Sequence, residues 1–324
     1  MAKTNTNKKI LIGAASLVVG AGAIFGFYTV FKGTGGSVLS KQRSNQSNFQ
    51  ELKRAQALAV NTHLSSKTGQ AWKNHNFADL LAGFGESKTA KENKEFFQAS
   101  IFVLDVAPPA FKPEEKQDVE KLQSQIVKFL TQDAQVVGDA AQTHSYAAKT
   151  LVKLGTPSAA DLKQLESFYK KTKDARKEII ADVLIQTEPL SSEGKALLSK
   201  QLLSKSEVTQ GMFLLARVRD GEARKELFNR VYKNYASYPA EVKPFVYKQL
   251  ALNHGLIQGD LKKHLAAAAQ SKDEKWEDTF LVAVQELDCV SEFKEDIRRI
   301  QSQSQHPHLQ MLAGAILAKD KGIK

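Results

Sequence analysis

The sequence predicts an all-α protein: one membrane-spanning helix, then a body of packed, repeat-like helices, an α-solenoid-like arrangement. Three observations lead there. An uncharged apolar run extends from Ile10 to Phe31. From Phe49 onward, apolar residues recur at helical rather than strand spacing. In the second half of the chain that pattern breaks at intervals of about 15–18 residues, room for one helix between successive breaks.

Residues 1–9 form a short basic tail with Lys3, Lys8 and Lys9. Residues 10–31 carry no charge, and their only polar side chains are Ser16, Tyr28 and Thr29. A hydrocarbon core about 30 Å thick takes roughly 20 helical residues to cross, so this run is long enough to span a bilayer once. Ala21-Gly22-Ala23 has the small-x-small form of a signal-peptidase site, but Ile24, Phe25, Phe27, Val30 and Phe31 continue the run, which favours an uncleaved anchor over a cleaved signal. No cysteine follows the run closely enough to carry a lipid at a processed N-terminus. The leading lysines place the N-terminus in the cytoplasm and the body outside it, in a periplasm or at the cell exterior; Lys32, Lys41 and Arg43 behind the run weaken that bias. Ser16, Gly20, Gly22 and Gly26 make a small-residue face through which two such helices can associate.

Residues 32–48 are rich in Gly, Ser, Asn and Gln, the composition of a flexible linker. The region 49–154 then reads as helices. Leu52, Ala55, Leu58, Ala59 and Leu64 pattern the first, Trp72, Phe77 and Leu81 the next, and Phe96, Phe97 and Ile101 a third that ends at Pro108-Pro109. Val119, Leu122, Ile126, Phe129 and Leu130 line one face of a helix over 114–131. Ile101-Phe102-Val103-Leu104 is the best strand candidate, and four apolar residues do not separate a strand from a buried helix.

In the region 155–324 the breaks fall near Pro157, Asp174, Pro189, Lys205, Gly221, Pro239, Gly255, Lys272, Ser291 and Pro307, with one amphipathic helix expected in each interval. The stretch 207–218 is apolar nearly all round, as a helix enclosed within the array should be. A single helix pair cannot bury its apolar face; pairs stacked in series can. Asp174-Ala175-Arg176-Lys177 leads into Ile179, Ala181 and Leu184; Gly221-Glu222-Ala223-Arg224 into Leu227 and Val231; Pro307-His308-Leu309 into Leu312, Ala313 and Leu317. A turn with Asp or Pro, then a basic residue, then an apolar helix resembles the second helix of HEAT-like repeats. That resemblance covers roughly 155–320 and implies a curved, non-catalytic binding surface. Tetratricopeptide-type repeats remain an alternative, although their tryptophan and glycine landmarks are missing here, and a non-repetitive bundle is the competing arrangement.

The net charge is +11. Three basic and no acidic residues precede the apolar run, leaving 43 basic against 35 acidic, a net +8, on the remainder. Such a body beside a membrane attracts anionic lipid headgroups or anionic polymers. However, most lysines alternate with Glu and Asp, as on an ordinary solvated helix face. A body outside the cytoplasm argues against nucleic acid as a partner. The one cysteine, Cys289, sits in an apolar stretch and reads as a small buried hydrophobe.

The sequence identifies no catalytic, cofactor-binding or metal-ligating residues. HExxH and GxSxG are missing. Gly83-Phe84-Gly85-Glu86-Ser87-Lys88-Thr89 has Ser87 and Ala82 where a phosphate-binding loop needs glycines, and reads as a helix end with Ser87 capping the next helix. His306-Pro307-His308 reads as a turn with Pro307 as first helical residue. The candidate partner-binding residues are Arg217, Arg219, Arg224, Arg230, Tyr232, Tyr235 and Tyr238, because Arg and Tyr dominate binding hot spots. The expected function is thus a membrane-anchored scaffold for a protein partner, with binding of anionic polymer or lipid headgroups as the alternative.

Overall fold

The structure, a computed structural model, describes residues 61–132 and 139–320. The span 10–31, its face of Ser16, Gly20, Gly22 and Gly26, the linker 32–48 and residues 49–60 lie outside the described residues. No helix among the described residues is long and apolar enough to cross a membrane.

Those residues are all-helical, with no strand. The helices are α1 (Lys67–Lys73), α2 (Phe77–Leu81), α3 (Ala90–Val106), α4 (Lys116–Leu130), α5 (Asp139–Lys153), α6 (Ala159–Lys171), α7 (Arg176–Leu184) and α8 (Ser192–Leu203). They continue as α9 (Val208–Leu215), α10 (Gly221–Asn234), α11 (Lys243–Leu252), α12 (Leu265–Ala269), α13 (Glu274–Glu286), α14 (Lys294–Gln303) and α15 (Pro307–Asp320). Ile101–Leu104 therefore belong to a helix. Side-chain caps set many of the starts: Ser158, Ser191, Asp220 and Asp273 each accept a backbone N–H from the first turn of their helix. Before α3 the cap is Thr89, not Ser87. Glu92 returns the bond to the Thr89 N–H at 2.7 Å and completes a capping box. Pro307 opens α15 as expected.

The substantial helix–helix contacts all join elements one or two helices apart in the chain. One layer runs α1, α3, α5, α7 and then α9, α11, α13, α15; the other contains α2, α4, α6 and then α8, α10. This is compatible with a helical-repeat fold. Polar side chains mark the same spacing. From Thr156 onward, most long-range side-chain hydrogen bonds join residues 26–36 apart, about one helix pair. Tyr238 donates its hydroxyl to the Leu202 carbonyl at 2.6 Å, and Lys248 binds Asp278 at 2.6 Å.

One interval departs from the expected pattern. Between Gly255 and Lys272 stand two 3-10 turns and the five-residue α12 rather than a full amphipathic helix. Gly259 lies against the Tyr232 ring, where a Cβ would come within 2.2 Å, and the Tyr247 hydroxyl donates to the Leu261 carbonyl at 2.8 Å. The chain here follows the tyrosines rather than a helical path.

Two apolar cores result. The first runs from Ala71 to Leu184 and centres on Trp72, Phe97, Leu122 and Ile126; Phe84, Phe96, Phe97 and Phe129 pack ring to ring at 4.8–6.1 Å. The second runs from Ile185 to Leu317 and centres on Phe228, Tyr247, Leu250 and Phe280. The sequence-based boundary at 154/155 falls inside the first core.

Candidate functional site

The candidate binding residues lie on α10 (Arg224, Arg230, Tyr232) and in the segments just before it (Arg217, Arg219) and after it (Tyr235, Tyr238), and most of them are engaged within the array. Tyr235 and Tyr238 are buried, and desolvation raises both phenols, that of Tyr238 to about 12. Tyr232 is half-buried and donates to the Asp260 carbonyl at 3.0 Å. Arg224 reaches Asn253 Oδ1 at 2.8 Å and lies over the Phe228 ring. Arg230 binds Ser199 Oγ at 2.9 Å and Glu226 at 3.3 Å, while Arg219 donates to the Val152 carbonyl at 2.7 Å. Arg217 pairs with Asp182 of α7. Burial pushes the Asp182 carboxyl up, and Arg217 opposes that shift. Most of these arginines and tyrosines tie neighbouring helices and turns together.

The exposed apolar group of this region is a different one. α9 buries Val208, Gly211, Met212 and Leu215 on one side, while Phe213 on the other is 58% exposed. The helix is thus not enclosed all round, as its composition led one to expect. The Phe213 ring meets Phe245 of α11 at 5.1 Å. Phe245, Lys248 and Leu252 follow one another at i, i+3 and i+7 on α11, and Leu252 is 41% exposed. The result is a shallow apolar strip across two successive helices of one layer. The Arg217–Asp182 pair bounds it on the α7 side and Lys248–Asp278 on the α13 side. An apolar centre rimmed by charge is the anatomy of a protein contact patch. The excess of apolar residues around α9 signalled Phe213 in the sequence, but that excess reads equally as burial.

Two open clefts lie elsewhere. One of about 600 Å³ is lined by Leu64, Lys73, His75, Val103, Ala107 and Pro109. His75 has φ 53° because it closes the C-terminal end of α1, and its Nδ1 lies 2.8 Å from Glu115 Oε1. The other, about 500 Å³, lies over α10 between Lys225, Arg230, Lys233 and Gln258. Glu274 Oε1 stands 3.8 Å from His306 Nδ1 and 3.6 Å from His308 Nε2, a carboxylate neighbour not visible in the local sequence. Among the described residues, no group of three or more His, Cys, Asp or Glu side chains has the geometry to hold a metal ion. Burial pushes the Cys289 thiol up, away from the reactive thiolate.

Comparison with known proteins finds no matching family, no matching curated protein and no matching solved structure.

Proposed function

We propose that this protein is a membrane-anchored, non-catalytic scaffold. Residues 10–31 hold it in the bilayer, with the N-terminus in the cytoplasm, and a HEAT-like helical body on the other side receives a protein partner. The observation that carries the reading is the Phe213–Phe245 strip. A large aromatic side chain more than half exposed, paired with a second ring and continued by Leu252, leaves apolar area in water on the face where a stacked array is laterally continuous. Most of the tyrosines and arginines expected for contact are engaged within the array, with Arg217 at the edge of the strip.

The test is photocrosslinking in intact membranes from a reactive residue placed at Leu252, followed by mass spectrometry. A discrete protein adduct that Phe213→Asp removes, with the melting temperature unchanged, supports the scaffold. Labelling of lipid alone, together with salt-sensitive retention of the protein on an anionic matrix, replaces it with the lipid- or polymer-binding reading. Resistance to alkaline extraction from membranes, lost on deletion of residues 10–31, tests the anchor separately.

A further inference from the structure

The two layers are interrupted together at one step. One layer packs along the chain from α1 to α7 and from α9 to α15, and the other from α2 to α6 and from α8 to α10, but neither α6 with α8 nor α7 with α9 shares that packing. The two apolar cores meet and stop at the same place, one ending at Leu184 and the other beginning at Ile185.

What joins the halves is a narrow backbone contact with polar ties around it. The contact is the Leu184 carbonyl at the end of α7. Thr187 Oγ1 and Ser191 Oγ both donate to it at 3.0 Å, and a Cβ on Gly194 of α8 would stand 2.5 Å from it. The ties lie further out. Lys170 of α6 meets Glu193 of α8 at 2.7 Å, Arg217 beyond α9 meets Asp182 of α7, and Arg219 reaches back to the Val152 carbonyl. Lys170 and Arg217 are 60% and 43% exposed and their partners Glu193 and Asp182 24% and 21%, so salt screens both pairs in part. Ile185, which closes α7, is buried in the second core and supplies apolar contact here, but the layers do not pack across this step as they do across its neighbours.

We propose that the body is two rigid segments that bend about the Leu184–Gly194 contact. Lys170–Glu193 and Arg217–Asp182 form the latch that holds the arrangement described here. Arg217 lies four residues from Phe213, so bending shifts α7 against the edge of the apolar strip. The hinge stands whether or not that strip binds a protein.

The experiment is pulsed electron–electron resonance on the full chain in detergent, in a Cys289→Ala background. Spin labels at the exposed positions 128 on α4 and 233 on α10 straddle the junction; pairs at 95 and 128, and at 233 and 298, stay within one half. The cross-junction distance distribution is expected to be about twice as wide as either control. It should widen further in about 0.5 M salt and in the double variant Lys170→Ala/Arg217→Ala, while the controls hold. A cross-junction distribution as narrow as the controls under every condition overturns the hinge. A broad one that neither salt nor the double variant alters overturns the latch.

Discussion

Two separate cores imply that a cavity cut in one weakens that half and spares the other. Leu122 and Leu250 are both fully buried, the first beside Ile126 in the N-terminal core and the second beside Tyr247 in the C-terminal core. Truncating either to Ala removes apolar contact and leaves a cavity that helices packed on both sides cannot close, at a cost of about 3 kcal/mol. With a urea dependence of about 2 kcal/mol per molar for each half, the midpoint should fall by about 1.5 M. The chain carries its own reporters, since it has two tryptophans. Trp72 is fully buried in the first core and Trp276 packs against the second. Urea titrations of Trp276→Phe and Trp72→Phe backgrounds therefore follow the halves one at a time. Leu122→Ala should move the Trp72 transition and leave the Trp276 transition within about 0.3 M, with Leu250→Ala doing the reverse. If either truncation drags both transitions down together, the cores act as one cooperative unit and the division at Leu184 has no energetic meaning.

Gly194→Ala should destabilise by about 1–3 kcal/mol, because its Cβ would meet backbone rather than a movable side chain; a melting temperature equal to that of the parent would show that α7 and α8 separate freely. Tyr238→Phe leaves the Leu202 carbonyl without its partner and should cost about 1–2 kcal/mol, with faster amide exchange at the end of α8. Burial raises the Tyr238 phenol to about 12, so the native state resists ionisation and loses stability as pH climbs from about 10 towards that value. The phenylalanine variant should lack Tyr238's share of that alkaline loss, and an unchanged alkaline limb would count against it. Burial holds the His144 imidazole below its ordinary value beside Phe129, so the unfolded chain takes up a proton before the native one does. Stability of the N-terminal half, read through Trp72, should therefore decline as pH falls through about 6.5. His144→Gln should flatten that decline, and equal slopes in the two proteins would exclude His144 as its source.

The helices were legible because each segment buries one stripe, and a stripe leaves a 3.6-residue signature wherever the neighbours lie. Leu162, Leu165 and Phe168 mark α6, and Leu281 and Val284 mark α13, without reference to any partner helix. The breaks were legible too, since Asp220 caps α10, Pro307 opens α15 and Pro157 stands just before the Ser158 cap of α6. The candidate site was less so. Tyr232, Tyr235, Tyr238 and Phe245 look alike in sequence, yet the hydroxyls of Tyr232 and Tyr238 have backbone acceptors and Tyr235 stays buried among Tyr247 and His264. Phe245 has no such tie and pairs with exposed Phe213. Whether a ring is spent inside or offered outside depends on residues about thirty positions away, which local pattern does not contain.

That distinction bears on what holds one helix pair in register with the next. In the apolar layer the side chains are interchangeable in kind: Leu, Val, Ile and Phe recur at helical spacing and no consensus is needed. The long-range polar bonds are individual. Asn229 serves the Leu256 carbonyl and the Gln258 N–H, Arg299 the Ala269 carbonyl, and Glu277 accepts from Ser304, each one helix pair away but each with different chemistry. A chain under selection for packing alone keeps the spacing and lets the residues drift, while register between successive pairs is held by bonds that need not resemble one another. If so, exchanging Asn229 for Ala should loosen the 255–264 turns specifically. Amide exchange there should rise while α13 and α14, two steps further on, keep their protection, because stability in a series of stacked pairs passes chiefly between neighbours. Loss of protection spreading evenly to α14 would mean that register is set globally by the core, and that the polar bonds only decorate it.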